Sequence, residues 1–334
     1  MHTNQAVPST ELTIPGDQVW REFQTFAWTS ATLTLLWGIV AVTLAWQLRG
    51  KKYQLWPRLK VYAVSWNVFH VIILMLLSGL LVIPCLFAID WPKDWALGRF
   101  LIAAGIEVLL FVAVPVWVFA IPLYQLGWNW RRWREDVMLG WLMWIVSWVV
   151  TVTAWQLAVR LWPAEEHVLL RELREAPNWF NSFAFTVTAI LLVPLAEEAL
   201  FRGLIQRKMM KEPFWADLTM LVALLAAIVQ GYGATSWGPL LFLVTAGPGY
   251  LAFEWVSWRM LPRPGLARAV YATSLIFAAL HADAWPAPIP LFFFSLGLGI
   301  LAARTQSLLG PLLIHAAFNA CTVLAVFMQQ TAGH

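Results

Sequence analysis

Apolar residues run in long blocks along this chain, and short polar stretches separate one block from the next. A hydrocarbon core of about 30 Å takes roughly 20 helical residues to cross, and lipid tolerates no exposed irregular backbone. The blocks therefore predict spanning helices. Ten are read, at about 26–48, 61–87, 101–124, 141–162, 183–206, 217–233, 238–258, 269–284, 289–304 and 308–328. The fold class that follows is all-α, a polytopic transmembrane helix bundle. Residues 1–25 form a polar N-terminal tail without the basic head and short apolar core of a cleavable signal peptide, so the 26–48 block is expected to act as its own anchor.

Composition agrees with that reading. Only 12% of the 334 residues are charged and 60% are apolar, against about 25% charged in a soluble domain, so a water-soluble surface cannot be built. Indole rings favour the headgroup layer, and Trp28, Trp37, Trp46, Trp56, Trp91 and Trp95 recur near the ends of apolar blocks. The net charge of +4 implies no nucleic-acid partner, because the basic residues sit in short clusters between blocks rather than on one extended face. Cys85 and Cys321 are the only cysteines and both lie inside apolar blocks, so no disulfide framework or thiolate metal site is implied.

Those basic clusters orient the bundle. Arg49, Lys51, Lys52, Arg58 and Lys60 fill the first connection and Arg131, Arg132 and Arg134 the third, which places both in the cytoplasm. The fourth connection carries Glu165, Glu166, Glu172 and Glu175 and is expected outside, while Arg207, Lys208, Lys211, Arg259, Arg263, Arg268 and Arg304 fall inside. Within the acidic connection, Val168, Leu169, Leu170 and Leu173 predict a short amphipathic helix lying on the membrane surface.

Chemistry is expected where polar groups enter the apolar blocks. A carboxylate in a spanning helix costs about 2.5–3.5 kcal/mol on insertion scales, and the fifth block holds two in a row, Glu197 and Glu198. On an α-helix Glu198 and Arg202 are i and i+4, so the guanidinium can neutralise and orient that carboxylate. Glu197 is turned about 100° away on the same helix and stays free, as a general base requires. Downstream, His281 follows Phe277 by four residues, and His315 and Asn319 share one helix face. An imidazole and a carboxamide there can hold a water or a metal, or donate to a developing oxyanion. At 1.5 Å of rise per residue, Glu197 lies about 15 Å from Lys208, His281 about 20 Å from Arg268 and His315 about 16 Å from Arg304, so one mid-membrane cavity can contain all three. Asn67, His70, Glu107 and Glu254 are isolated, and each is expected to bond to a neighbouring helix. Asp283 is not counted as a ligand.

Glu-Glu-x-x-x-Arg, Phe-x-x-x-His and His-x-x-x-Asn, in this order, resemble the signature of the CAAX-protease and bacteriocin-processing family, also called Abi or type II CAAX prenyl endopeptidases. The resemblance covers about 183–328, including the Arg-Thr-Gln-Ser-Leu-Leu-Gly-Pro run before the His315 helix, and leaves the first four blocks outside. It implies Glu197 as the residue activating water, Glu198 with Arg202 as its support, and His281, His315 and Asn319 as ligands of water, metal or oxyanion. The chain departs from the family in one respect. The gap from Glu197 to His281 is longer than the family's usual one, and the excess at about 212–263 reads as two additional spans.

Three divisions follow: the polar tail at 1–25, N-terminal helices with the amphipathic connector at 26–180, and a protease-like domain at 181–330 containing the insert. The function expected is an intramembrane endopeptidase using a glutamate-activated water. Its partners would be membrane lipid and a protein or peptide substrate, prenylated or not. Zinc held by His281, His315 and Glu197 is compatible with the residues and not required by them. The protein is expected in the cell (inner) membrane, and the charge pattern orients its cavity toward the cytoplasm. Two other classes stay open: a non-catalytic immunity or scaffold protein of the same fold, and an ion-coupled transporter using the buried carboxylates and imidazoles as a relay.

Overall fold

The computed structural model describes residues 16–48, 64–163, 168–231, 238–258, 261 and 263–332, among which there is no β-strand. Eight helices among the described residues are long and apolar enough to cross a membrane. In chain order with the elements between them, they are α1 (Ala27–Gln47), α2 (Val68–Phe87), α3 (Lys93–Trp117), α4 (Trp130–Leu161), α6 (Trp179–Lys211), α8 (Leu240–Ser257), α10 (Pro288–Thr305) and α11 (Leu309–Met328). Two shorter apolar helices, α7 (Phe214–Val229) and α9 (Gly265–Ala279), complete the set, and α5 (Val168–Glu175) is the amphipathic connector. Each of the ten expected blocks thus carries a helix. The chain is an integral membrane protein and an all-α bundle.

Boundaries differ from expectation where local chemistry intervenes. The second helix starts at Val68, because the Asn67 side chain accepts from Phe69 N and His70 Nδ1 accepts from Asn67 N, a reciprocal cap that ends the preceding extended chain. Asn67 and His70 therefore serve their own helix end rather than bonding to a neighbouring helix, and the His70 ring stacks on Phe119. The third helix stops at Trp117, before a positive φ at Ala120 and before Pro122, which cannot continue a helix. A short turn at Leu123–Leu126 follows, closed by Gly127 at φ 99°. A side chain there would be strained and would also meet Arg207 and Leu308, so glycine is required. Arg49, Lys51, Lys52, Arg58, Lys60, Glu165, Glu166 and Arg259 lie outside the described residues.

The amphipathic connector forms as expected. Its own Leu173 is fully buried, and an Arg99–Glu172 ion pair ties it to α3.

At the centre stands α10, with 67% of its apolar window inside the protein against 17% for α2 and α8, so the latter two face lipid. α10 packs against α4, α9 and α11. Small residues permit that approach: a Cβ at Gly297 would collide with Ser147 Oγ of α4, and one at Gly299 would lie 3.0 Å from Val270 of α9. The described residues of the segment at about 212–263 pack on α9 and on the end of α6, and among them there is no substantial contact to α10 or α11. Arg268 of α9 clamps it, pairing with Asp217 of α7 and Glu254 of α8, both at 3.1 Å, while the Tyr250 hydroxyl donates to Asp217 at 2.7 Å. Glu254 thus bonds to a neighbouring helix as expected, and so does Glu107, which accepts from Ser78 of α2 at 2.7 Å.

Candidate active site

The pair of glutamates lies where α6 changes winding. Residues Val193–Glu198 are α-helical, and Ala199–Ile205 form a π-helical stretch that widens the turn. Glu198 and Arg202 bridge this junction with Nη1 to Oε1 at 2.8 Å, both side chains fully buried. Nη2 of Arg202 donates to Ser295 Oγ at 2.8 Å and to the Ser295 carbonyl at 3.4 Å, which fastens the pair to central α10. A buried charge pair is held best when its other hydrogen-bonding groups are met; Ser295 meets Nη2 of Arg202, while Arg202 Nε and Glu198 Oε2 are buried without a hydrogen-bond partner. Nothing in the sequence distinguished Ser295 from any other small residue of an apolar helix.

Two imidazoles from later helices converge on the free carboxylate. His315 of α11 approaches Glu197 Oε2 with Nε2 at 3.6 Å, and His281 approaches Glu197 Oε1 with Nε2 at 3.8 Å. Their far nitrogens fix the tautomers. His315 Nδ1 lies 2.8 Å from Glu198 Oε1 and His281 Nδ1 lies 2.8 Å from the Phe277 carbonyl. A carbonyl only accepts, and so does a carboxylate held ionised by Arg202, so both Nδ1 atoms carry the proton. In the neutral rings each Nε2 then presents a lone pair toward Glu197. Glu197 Oε2 is buried and has no hydrogen-bond partner, so the carboxylate stands ready for a proton donor.

His281 reaches this point from an unexpected position. It was expected on the helix of 269–284, whereas α9 ends at Ala279, Leu280 forms its cap, and His281 opens a 3-10 turn through Ala284. The ring therefore stands at the mouth of a turn rather than on a helical face, and its side chain is 25% exposed against 5% for His315. That difference gives His281 the more open side of the site.

Phe277 frames the cluster. Its ring lies 4.8 Å from His281, 5.9 Å from His315 and 4.9 Å from the Arg202 guanidinium, so one aromatic face sets three polar groups. Phe294 of α10 closes the other side of His315 at 5.7 Å. The spacing of Phe277 before His281 marked it in the sequence, but not what it would touch.

Asn319 sits one turn along α11 from His315, as expected, and its Nδ2 donates to the Ala189 carbonyl at 2.7 Å. That carbonyl belongs to a second π-helical stretch of α6, Thr188–Leu192. One amide proton of Asn319 is thus spent on joining α11 to α6, and the other has no protein partner among the described residues.

His281, His315 and Glu197 offer three lone pairs around one point, the donor set on which zinc was judged compatible. The 3.6 and 3.8 Å separations exceed the about 3.3–3.5 Å between neighbouring ligand atoms when zinc bonds are about 2.0–2.2 Å long. Among the described residues no group of three or more His, Cys, Asp or Glu side chains is arranged to hold a metal ion. A water molecule has two hydrogens to give, enough for Glu197 and one imidazole Nε2.

Residues 179–260 and 250–321 match the family model described as type II CAAX prenyl endopeptidase Rce1-like. The first segment holds Glu197, Glu198 and Arg202, and the second holds His281, His315 and Asn319. The match is to the family that the three motifs resemble, and it leaves α1 to α5 outside. No curated protein and no solved structure matches the chain.

Proposed function

Starting from a chain whose residues 179–321 carry the type II CAAX prenyl endopeptidase match, we propose that it is an intramembrane endopeptidase that hydrolyses peptide bonds with a water activated by Glu197. The observation that carries this reading is the convergence of His281 and His315 on the two oxygens of Glu197, from elements 84 and 118 residues downstream (281 − 197 and 315 − 197). Packing alone gives no reason to gather these groups at one point, whereas general-base hydrolysis needs all of them.

Each residue has a step. Water donates one hydrogen to His281 Nε2 and the other toward Glu197, which takes that proton as the oxygen attacks the peptide carbonyl. Electron density moves onto the carbonyl oxygen. The remaining Asn319 amide proton is positioned to donate to that oxyanion, while His315, held through Nδ1 by Glu198, keeps its Nε2 lone pair beside Glu197 and helps to place the water. Glu197 then passes its proton to the departing amine, the C–N bond breaks, and a new carboxylate and amine leave. Arg202 keeps Glu198 ionised throughout, and Ser295 keeps Arg202 in place.

The substrate is a membrane-associated protein or peptide cleaved near its C-terminus, and the cavity faces the cytoplasm. The test compares C-termini in membranes from cells with active protein and with Glu197→Gln protein. New, shortened C-termini confined to the active sample support the reading. Identical C-termini in both, with purified protein cleaving no peptide, would overturn it and favour the non-catalytic scaffold.

A further inference from the structure

Glu107 of α3 lies outside the segment that matches the family, on a helix that packs against the stretch of α6 ending on Glu197 and Glu198. Its one hydrogen bond comes from Ser78 of α2, whose Oγ is buried and donates to Oε1 at 2.7 Å. Among the described residues Oε2 has no protein partner, and no cation pairs with this carboxylate. Counting 1.5 Å per residue, Glu107 is about 21 Å from Lys93 and about 15 Å from Trp117, near mid-span, where an unpaired carboxylate is costly. Such a group calls for a ligand.

Its neighbours indicate which one. α3 packs against α6 along 188–198, the stretch that ends on the two glutamates, and Glu107 is within electrostatic reach of Glu197. The winding agrees as well. π-helical turns are rare and gather at functional sites. Here one at Leu77–Val82 contains Ser78, one at Leu109–Ala113 begins two residues after Glu107, and two more flank Glu197 on α6. Glu198 pairs with Arg202 and Glu197 faces two imidazoles, whereas Glu107 has the Ser78 hydroxyl alone and no ion pair among the described residues. Complementary charge is what a site of this sign selects.

We propose that Glu107, braced by Ser78, forms a subsite beside Glu197 that binds a lysine or arginine side chain of the peptide substrate. The N-terminal helices, which the family match leaves out, thereby set the specificity of the protease core. A long basic side chain suits the depth, because its methylene stem lies against apolar walls while its charged end reaches the carboxylates. This inference rests on the endopeptidase reading above.

The test uses the purified full chain in lipid nanodiscs and peptide pairs that differ at one position within three residues of the cleaved bond. One member carries lysine there and the other norleucine, or arginine against citrulline. Wild-type protein is expected to favour the basic member at least tenfold in kcat/KM. Glu107→Gln should bring that ratio near one, and Glu107→Lys should turn the preference toward an acidic residue at the same position. Ser78→Ala should lower the ratio partway and Ser78→Thr should restore it, which a purely structural role would not do. If a Glu107 variant fails to fold, the wild-type ratio and the Ser78 pair still decide. No basic preference in the wild type, or a preference that survives Glu107→Gln, overturns the subsite alone. Failure to cleave any peptide overturns the endopeptidase reading, and the subsite with it.

Discussion

Replacing Arg202 by methionine removes the only permanent cation among the described residues that touches Glu198 through a hydrogen bond, in a place with no solvent access. Three contacts disappear: Nη1 to Glu198 at 2.8 Å, and Nη2 to the Ser295 hydroxyl and carbonyl at 2.8 and 3.4 Å. Both ionic side chains are fully buried, so the remaining carboxylate keeps its desolvation penalty without compensation. Breaking a buried pair in this one-sided way costs about 3–5 kcal/mol. The double variant Arg202→Met, Glu198→Gln removes both charges, and the carbonyl oxygen of the introduced amide can still accept from His315 Nδ1. It should therefore be less destabilised than Arg202→Met alone, by about 2 kcal/mol or more, since loss of both partners is close to neutral. Unfolding of the four proteins of this double-mutant cycle in mixed micelles, followed by helical signal, measures the coupling. Additive losses, or an Arg202→Met cost under about 1 kcal/mol, would refute the argument that Glu198 needs Arg202 to remain charged.

Three further expectations follow from the same structure. Cysteines placed at 49–60, 125–140 and 207–216 should label from the cytoplasmic side and those at 163–180 from outside; strong outside labelling of 49–60 would invert the orientation. Glu254→Gln should leave peptide cleavage within a few fold, because Glu254 faces the Arg268 clamp rather than the site, and should lower stability by no more than about 1 kcal/mol, as expected of a partly exposed pair. A loss of activity as deep as that of Glu197→Gln would bring this segment into the site. Purified active enzyme should hold no stoichiometric zinc and should keep its activity in chelator. Zinc lost and restored together with activity would replace the metal-free scheme.

Much of this architecture could be read from the chain because membrane insertion writes a coarse code. A block of some 20 apolar residues has one stable form, so all ten blocks became helices, and the pattern of Leu169, Leu170 and Leu173 among charges predicted the surface helix. Glu198 and Arg202 were legible for a similar reason, since four residues on a helix bring side chains together. What stayed hidden depends on packing between distant elements or on changes of winding. The π-helical turns on either side of Glu197 leave no periodic trace over five to seven residues. The end of α9 before His281 carries no proline or glycine to announce it. Ser295 acquires meaning only because α10 passes beside Arg202, and Glu107 looked isolated because its hydrogen-bond partner Ser78 lies 29 residues before it on another helix (107 − 78).

The central claim is that Glu197 activates the attacking water. Purified wild-type protein and Glu197→Gln, matched for helical content and thermal unfolding, are compared for hydrolysis of a membrane-anchored peptide in nanodiscs. The isosteric amide keeps the shape of the side chain and most of its hydrogen bonding but cannot take a proton, so turnover should fall by at least about a thousandfold while peptide binding persists. Retention of wild-type turnover by folded Glu197→Gln protein would contradict the account.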